Sequence, residues 1–347
     1  MNEIDNLFNI LISEKGSDLH LEEGQKPKIR LNGKIKEIGS ETLTRDKMIA
    51  LLLPITAKED WQRFRTRGDL DFAYAYETQA RFRANYFRHF FGFGAIFRLI
   101  PSQIRSFEEL DLPPHIKNFA KWRSGLVLVT GPTGSGKSTT LAAIIDYINT
   151  NFARKIITIE EPVEFTHSNK KSFISHREVG RDTVSFASGL RTAIKSDANI
   201  ILVGEMRDYE TIELALTASE MGILVFGTLH TNSAAKTVDR IIDSFPPNRK
   251  NQIRTVLANN LRAIVAQQLL PSADKTRRWA AYEILIRTQA LGNLIQTGET
   301  VRLTSEIQTN KGQGMILMDD YLTDLLKAGK VTKEEAYLKA IDKSKFI

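Results

Sequence analysis

Residues 131–138 read Gly131-Pro132-Thr133-Gly134-Ser135-Gly136-Lys137-Ser138. Glycines at the first, fourth and sixth places let backbone N–H groups converge on an anion without Cβ clashes. In that setting Lys137 reaches the β- and γ-phosphates of a nucleoside triphosphate, and Ser138 offers a hydroxyl to Mg²⁺. Thr133, Ser135 and Thr139 complete the residues expected around the phosphates. The apolar run Leu126-Val127-Leu128-Val129-Thr130 enters the loop, and the helical spacing of Leu141, Ile144, Ile145 and Ile148 leaves it. A helix N-terminus placed there adds its partial positive charge to the anion site. The reading is an ATP and Mg²⁺ site.

Hydrolysis also needs acids. Ile200-Ile201-Leu202-Val203-Gly204 is an apolar strand that runs into Glu205, and Ile156-Ile157-Thr158-Ile159 runs into Glu160-Glu161, with Glu164 just beyond Pro162. Ligands of open α/β sheets sit at the carboxyl ends of strands, so both acids should face the phosphates. One group can serve the metal and the other the attacking water. Glu205 ranks first, as metal partner and catalytic acid or base, and Glu160 second; which of them is the general base stays open. The alternative is that one pair is a solvated strand end. Thr228-Leu229-His230-Thr231 closes a third such strand, where His230 could sense the γ-phosphate or could simply pack. Arg81 and Arg83 flank Phe82, so a strand puts both guanidinium groups on one face. That face suits a phosphate, or else it is solvated; Arg63, Arg65 and Arg67 read as a solvated run.

These residues need scaffolding of two textures. Residues 1–100 read as a mixed α+β domain, with an amphipathic opening segment Met1–Ile12 and strands at DLHLE, KIRL, GKIKEI, DLDFAYAY, RFRANYF and GAIFRLI. Residues 101–115 read as a linker around Pro101, Pro113 and Pro114. Residues 116–347 alternate short apolar runs with helical patterns, the mark of a largely parallel sheet covered by helices on both faces. The stretch from Met318 on reads as helical, with Thr332 and Glu335 spaced as a capping box. The 347 residues contain no cysteine, which removes disulfides, thiolate metal sites and thiol catalysis. The net charge of +7 is spread along the chain without a basic tail, which speaks against a dedicated nucleic-acid arm. There is no signal-peptide pattern and no apolar run near the roughly 18 residues a membrane span needs, so the expected location is the cytoplasm.

Beyond the loop, the ordered strings GSDLHL, RFRAN, FRLIPS, GPTGSGKSTTLAA, TIEEPVEF, REVGRDT, ILVGEMRD, GTLHTNSAAKTVDRIID and FPP resemble the secretion-superfamily ATPases, most closely the type IV pilus retraction ATPases. The resemblance implies a homohexamer of chains, each with a PAS-like N-terminal domain and a RecA-like ATPase domain. It implies ATP lying between the two domains, closed over by Arg81, Arg83 and Arg98. Glu205 matches the family's Walker-B glutamate, Glu160 its acidic box and His230 its histidine box. The implied work is withdrawal of pilin subunits through an inner-membrane platform protein, at the cytoplasmic face of that membrane, with related motor paralogues as further partners. The absent cysteines separate this chain from the extension and type II secretion ATPases, which usually carry a cysteine-rich zinc module.

Three positions depart from the family pattern. Glu161 stands where the acidic box usually has aspartate, and Ile223 where the histidine box usually begins with a second histidine. The retraction signature AIRNLIRE appears as Ala290-Leu291-Gly292-Asn293-Leu294-Ile295-Gln296-Thr297. The resemblance therefore implies ATP turnover together with either retraction itself or assistance to a main retraction motor. Two other classes remain beside it: a RecA-like motor on nucleic acid, and a non-catalytic adaptor within a mixed hexamer.

Overall fold

The helical spacing of Ile4, Phe8 and Leu11 and the period-two alternation of Phe82, Ala84 and Tyr86 build the first of two units. A computed structural model describes residues 2–31, 33–76, 80–100 and 103–347. Met1, at the head of the amphipathic opening segment, lies outside the described residues. So do Pro101 and Ser102, which end FRLIPS and begin the expected linker. The units are Met1–Gln103 with Pro162–Thr166, and Ile104–Glu161 with His167–Ile347.

The first unit runs α1 (Glu3–Ser13), β1 (Asp18–Glu22), β2 (Lys28–Leu31), β3 (Lys34–Glu37), α2 (Arg45–Leu52), α3 (Lys58–Arg67), β4 (Asp69–Tyr76), β5 (Ala80–His89) and β6 (Gly92–Ile100). Among the described residues its strands form one antiparallel sheet in the order β3-β2-β1-β6-β5-β4. One face is apolar and takes the helices: Phe8 of α1 stacks on Phe82 at 4.2 Å and meets Phe97 edge-on at 5.1 Å. Phe82, Ala84 and Tyr86 are buried on that face, so strict alternation leaves Arg81 and Arg83 on the other.

The second unit begins with a 3-10 segment, Pro114–Lys121, and β7 (Gly125–Thr130), all six of whose residues are buried. Then follow α4 (Lys137–Asn151), β8 (Lys155–Glu160), β9 (Phe173–Glu178), α5 (Phe186–Ile194), β10 (Ile200–Val203), α6 (Tyr209–Glu220), β11 (Leu224–Leu229), α7 (Ala234–Asp243) and α8 (Lys250–Asn260). After these come β12 (Leu261–Pro271), β13 (Arg278–Ile286), α9 (Gln289–Thr297), α10 (Leu303–Thr309), α11 (Met318–Lys327) and α12 (Lys333–Lys339). The sheet order is β13-β12-β7-β11-β10-β8-β9 among the described residues, parallel throughout except for β13. Fully apolar strands need cover on both faces. Residues of α5 to α10 form the core on one face; α4, the 3-10 segment and part of α11 form it on the other. Phe107 and Leu112, from the stretch read as a linker, are buried in this second core. The mixed α/β, RecA-like architecture expected from the sequence is what the chain adopts. Thr332 Oγ1 accepts the N–H of Glu335 at 3.3 Å at the start of α12.

Parallel order does the positioning. Strand β7 lies inside the sheet between β12 and β11, and the glycine-rich loop leaves from its carboxyl end. The carboxyl ends of β11, β10 and β8 follow in order along the same edge, carrying His230, Glu205 and Glu160. Glu283 of β13, buried and held above the ordinary carboxylate range by that burial, accepts the N–H of Ala234 at 2.7 Å and of Met318 at 3.3 Å. It thereby ties the first residues of α7 and α11 to the sheet.

Candidate nucleotide and hydrolysis site

Loop 131–136 is shaped by its glycines. Gly131 has φ +148° and Gly136 has φ +88°, values that side-chain-bearing residues rarely adopt. A Cβ at Gly131 would stand 2.2 Å from the Gln267 carbonyl, and one at Gly136 would stand 2.9 Å from Gln267 Nε2. Gln267 of β12 is the clamp: its Nε2 donates to the Ser135 carbonyl at 2.7 Å, and its Oε1 accepts from Thr140 Oγ1 at 2.7 Å. The Gly131 N–H is held by the Leu229 carbonyl at 3.2 Å.

Lys137 Nζ donates to the carbonyls of Gly131 at 2.8 Å and Pro132 at 3.2 Å, which folds its charge over the loop. Ser138 and Thr139 are half-buried in the first turn of α4, whereas Thr133 and Gly134 are exposed. Ser135 Oγ and Thr130 Oγ1 are buried without a hydrogen-bond partner among the described residues. Buried hydroxyls left in that state are costly unless a ligand atom satisfies them. Together with the fifteen-residue helix opening at the loop, they fit a triphosphate and its Mg²⁺. A cleft of about 530 Å³ opens beside Gly136, Thr139 and Thr140, lined further by Arg277, Trp279 and Tyr282.

At the neighbouring strand ends, Gly204 permits a close approach: its N–H donates to the Ile159 carbonyl at 2.8 Å. A Cβ there would stand 3.2 Å from Glu160 Cα. Thr228 Oγ1 donates to the Gly204 carbonyl, and the Met206 N–H donates to the Thr228 carbonyl at 3.0 Å. This latch between β10 and β11 brings His230 Nε2 to 3.0 Å from Glu205 Oε1. Arg207 Nε reaches the same oxygen at 2.6 Å. Burial pushes the Glu205 carboxyl up, but the hydrogen bonds and charges of Arg207 and His230 outweigh it and hold it below the ordinary carboxylate range. Arg207, unmarked in the sequence reading, is the partner that decides this; it stands two residues on in an irregular stretch that strand spacing does not reach.

Glu160 has a neighbour that the sequence reading also missed. His176 of β9 stands opposite Thr158 in the register. Its Nε2 accepts the His167 N–H at 3.1 Å, so in the neutral ring the proton sits on Nδ1. That N–H donates to Thr158 Oγ1 at 2.9 Å and lies 3.8 Å from Glu160 Oε1.

In the first unit, the register places Arg98 directly opposite Arg83, with Asp18 beyond Arg98 and Arg30 beyond Asp18. Arg98 Nε donates to Asp18 Oδ1 at 2.8 Å, and Arg83 Nε lies 3.8 Å from Asp71 Oδ1. Burial raises the Asp18 carboxyl, but hydrogen bonds from Ser17 and Arg98 bring it below its usual value. Arg81 lies opposite Ile100 on the same sheet. The structure thus gathers Glu205, His230 and the glycine-rich loop at one sheet edge, with Glu160 next to Gly204, and sets Arg81, Arg83 and Arg98 together on the other unit.

The departures have distinct surroundings. Glu161 is exposed, and its charge acts on Arg207. Ile223 is buried just before β11, seven residues and roughly 20 Å of extended chain from His230. Ala290–Thr297 lies in α9, where Leu291, Gly292 and Ile295 are buried and Gln296 and Thr297 are exposed.

The chain resembles known proteins over most of its length. The family described as "Type II/IV secretion system protein" matches residues 1–321. The chain is similar to the type IV pilus retractation ATPase PilT of Pseudomonas aeruginosa, 44% identical over 338 residues, 97% of this chain and 98% of that protein. A twitching motility protein of Neisseria gonorrhoeae is 44% identical over 314 residues, 90% of this chain and 84% of its own. Among solved structures, the pilus retraction motor PilT with bound ADP superposes with a TM-score of 0.91 at 40% identity, covering 99% of this chain and 98% of that one.

Proposed function

The chain belongs to the type II/IV secretion system protein family, and from that premise we propose that it is a Mg²⁺-dependent ATPase motor that retracts type IV pili. The observation that carries this is the shared sheet edge: the glycine-rich loop, Glu205 bound to Arg207 and His230, and Glu160 beside Gly204. Gly131, Gly134 and Gly136 with the N–H groups of Thr133, Ser135 and Thr139 cradle the phosphates. Lys137 exchanges its two carbonyl contacts for β- and γ-phosphate oxygens, and the cleft lined by Trp279 takes the nucleoside. Ser138 and Glu205 would hold Mg²⁺, which would supply positive charge against the β- and γ-phosphates. Glu205, kept ionised by Arg207, orients the attacking water, and Glu160 is the second candidate for accepting its proton.

In this reading residues 1–100 are a PAS-like domain, 101–115 a connector and 116–347 the RecA-like motor domain. The working form is a homohexamer, with Arg81, Arg83 and Arg98 completing the nucleotide site. Its partners are an inner-membrane platform protein at the pilus base and related motor ATPases, and its place is the cytoplasmic face of that membrane. Among the described residues no helix is long and apolar enough to cross a membrane. A second reading has one observation in its favour. The exposed end of α9 carries Gln296 and Thr297 where the retraction signature has arginine and glutamate, which fits a paralogue that assists a main motor.

The test is steady-state Mg-ATP hydrolysis against protein concentration, with and without DNA. Turnover that rises cooperatively with concentration, ignores DNA and vanishes in Lys137→Ala is expected. Turnover untouched by Lys137→Ala would sink the phosphate site, and a requirement for DNA would make this a nucleic-acid motor.

A further inference from the structure

The turn joining β5 to β6 carries Phe90 and Phe91, 95% and 80% exposed. Phe90 is the most exposed large apolar side chain among the described residues. The two rings meet edge to face with centroids 5.1 Å apart. The backbone of the hairpin is held on both sides of the turn. His89 pairs with Gly92 across the turn, and the Phe91 N–H donates to His89 Nδ1 at 3.3 Å. Phe93, two residues on, is buried against Phe64 of α3, centroids 5.9 Å apart. Arg88 closes the base of the turn: its N–H donates to the Gly68 carbonyl at 2.9 Å and its Nη2 to the Arg65 carbonyl at 2.6 Å.

Those contacts bring the carboxyl end of α3 beside the tip, and with it a charge pattern. Arg65, Arg67 and Arg88 are exposed there. The nearby acids are Asp69, Glu22 and Glu23, and Glu23 is already paired with Arg45 at 3.4 Å. The surroundings of the two phenyl groups are therefore net positive.

We propose that this tip is a wedge that enters the headgroup layer of an anionic phospholipid bilayer, phenyl groups first, with Arg65, Arg67 and Arg88 on the lipid phosphates. Aromatic side chains favour that layer, and basic residues near an anionic leaflet add attraction that salt weakens. A protein partner fits less well. Two phenyl groups on a convex turn bury about 150–250 Å² each, far short of the roughly 800 Å² per partner of a stable interface. A bilayer needs no matching surface. In the homohexamer proposed above, the tips recur once per subunit, so weak single insertions combine. Only that gain in avidity rests on the hexamer; insertion itself does not.

The experiment is co-sedimentation of the full chain with vesicles of phosphatidylcholine alone or with phosphatidylglycerol added, with ATPase turnover read on the same samples. Wild type should bind the anionic vesicles and not the neutral ones, and added salt should weaken binding. Phe90→Ser with Phe91→Ser should lower binding about tenfold at unchanged turnover. A Phe90→Trp variant should shift its emission to the blue on anionic vesicles. Equal binding by wild type and the double serine variant, or no binding by wild type, would overturn the proposal. So would a double variant that loses assembly and turnover together, because the rings would then serve a contact between copies. Since binding and turnover are separate readouts, failure here leaves the ATPase reading to its own test.

Discussion

A single oxygen, Glu205 Oε1, takes both Arg207 at 2.6 Å and His230 at 3.0 Å. Two donors on one oxygen restrict the carboxylate's rotation. Glu160 has a looser neighbour in the ring of His176, 3.8 Å away. Its Nε2 is spent on a backbone N–H, so the tautomer that faces Thr158 and Glu160 is decided by the fold. Replacing His176 by phenylalanine keeps a flat ring beside His167 and removes both polar contacts. We expect the His176→Phe enzyme to lose about tenfold in kcat with KM little changed, and His176→Gln, whose amide can both accept and donate, to recover most of it. Full activity in His176→Phe would reduce the residue to packing.

At the scale of elements, the edge formed by β8, β9 and α4 contains a buried titratable group. The His167 side chain is 3% exposed and lies 3.9 Å from Asp146 of α4, whose other neighbour is Lys170. Burial first, and then neighbouring His176, bring its pKa down to about 4 from 6.5, against the pull of Asp146. The unfolded chain therefore takes up this proton near pH 6.5 and the folded one only near 4. Stability on this account is full above pH 6.5 and falls as pH drops from 6.5 to 4, by at most about 3 kcal/mol. Denaturant midpoints of His167→Phe should be flatter with pH over that window than those of wild type. Parallel profiles would place the acid sensitivity elsewhere. Helix α9 is the other element of interest: Gly292 is buried facing α8, with the Ala258 carbonyl 3.4 Å from where its Cβ would be. The family's arginine at this place has here become a close helix contact.

For the whole molecule the proposed function asks whether arginines of the first unit act on the nucleotide. The first unit offers Arg83 opposite Arg98, the latter already tied to Asp18. Asp71 lies 3.8 Å from Arg83 and Asp18 holds Arg98, so the pair is partly offset already, and a phosphate is a further anion that suits guanidinium geometry. If the nucleotide is that anion, Arg83→Ala should lower the catalytic rate by about a hundredfold while nucleotide binding, measured with a fluorescent ATP analogue, stays within a few-fold of wild type. An unaltered rate would make the arginine row a solvated face.

Much of this was legible in the chain itself. Phosphate-loop glycines, apolar strands ending in Glu160 and Glu205, and the alternation around Phe82 are local patterns, and local backbone geometry alone fixes which way each residue faces. The departures at Ile223 and in Ala290–Thr297 were likewise visible as substitutions. The tertiary structure decided the partners. Gln267 reaches the loop from 132 residues away, Glu283 binds the first residues of two helices, Arg207 settles the charge state of Glu205, and His176 meets Glu160 only because β9 pairs with β8 in one register. Spacing along a chain carries no record of such contacts, since strand order and register arise only when the apolar faces close over a common core.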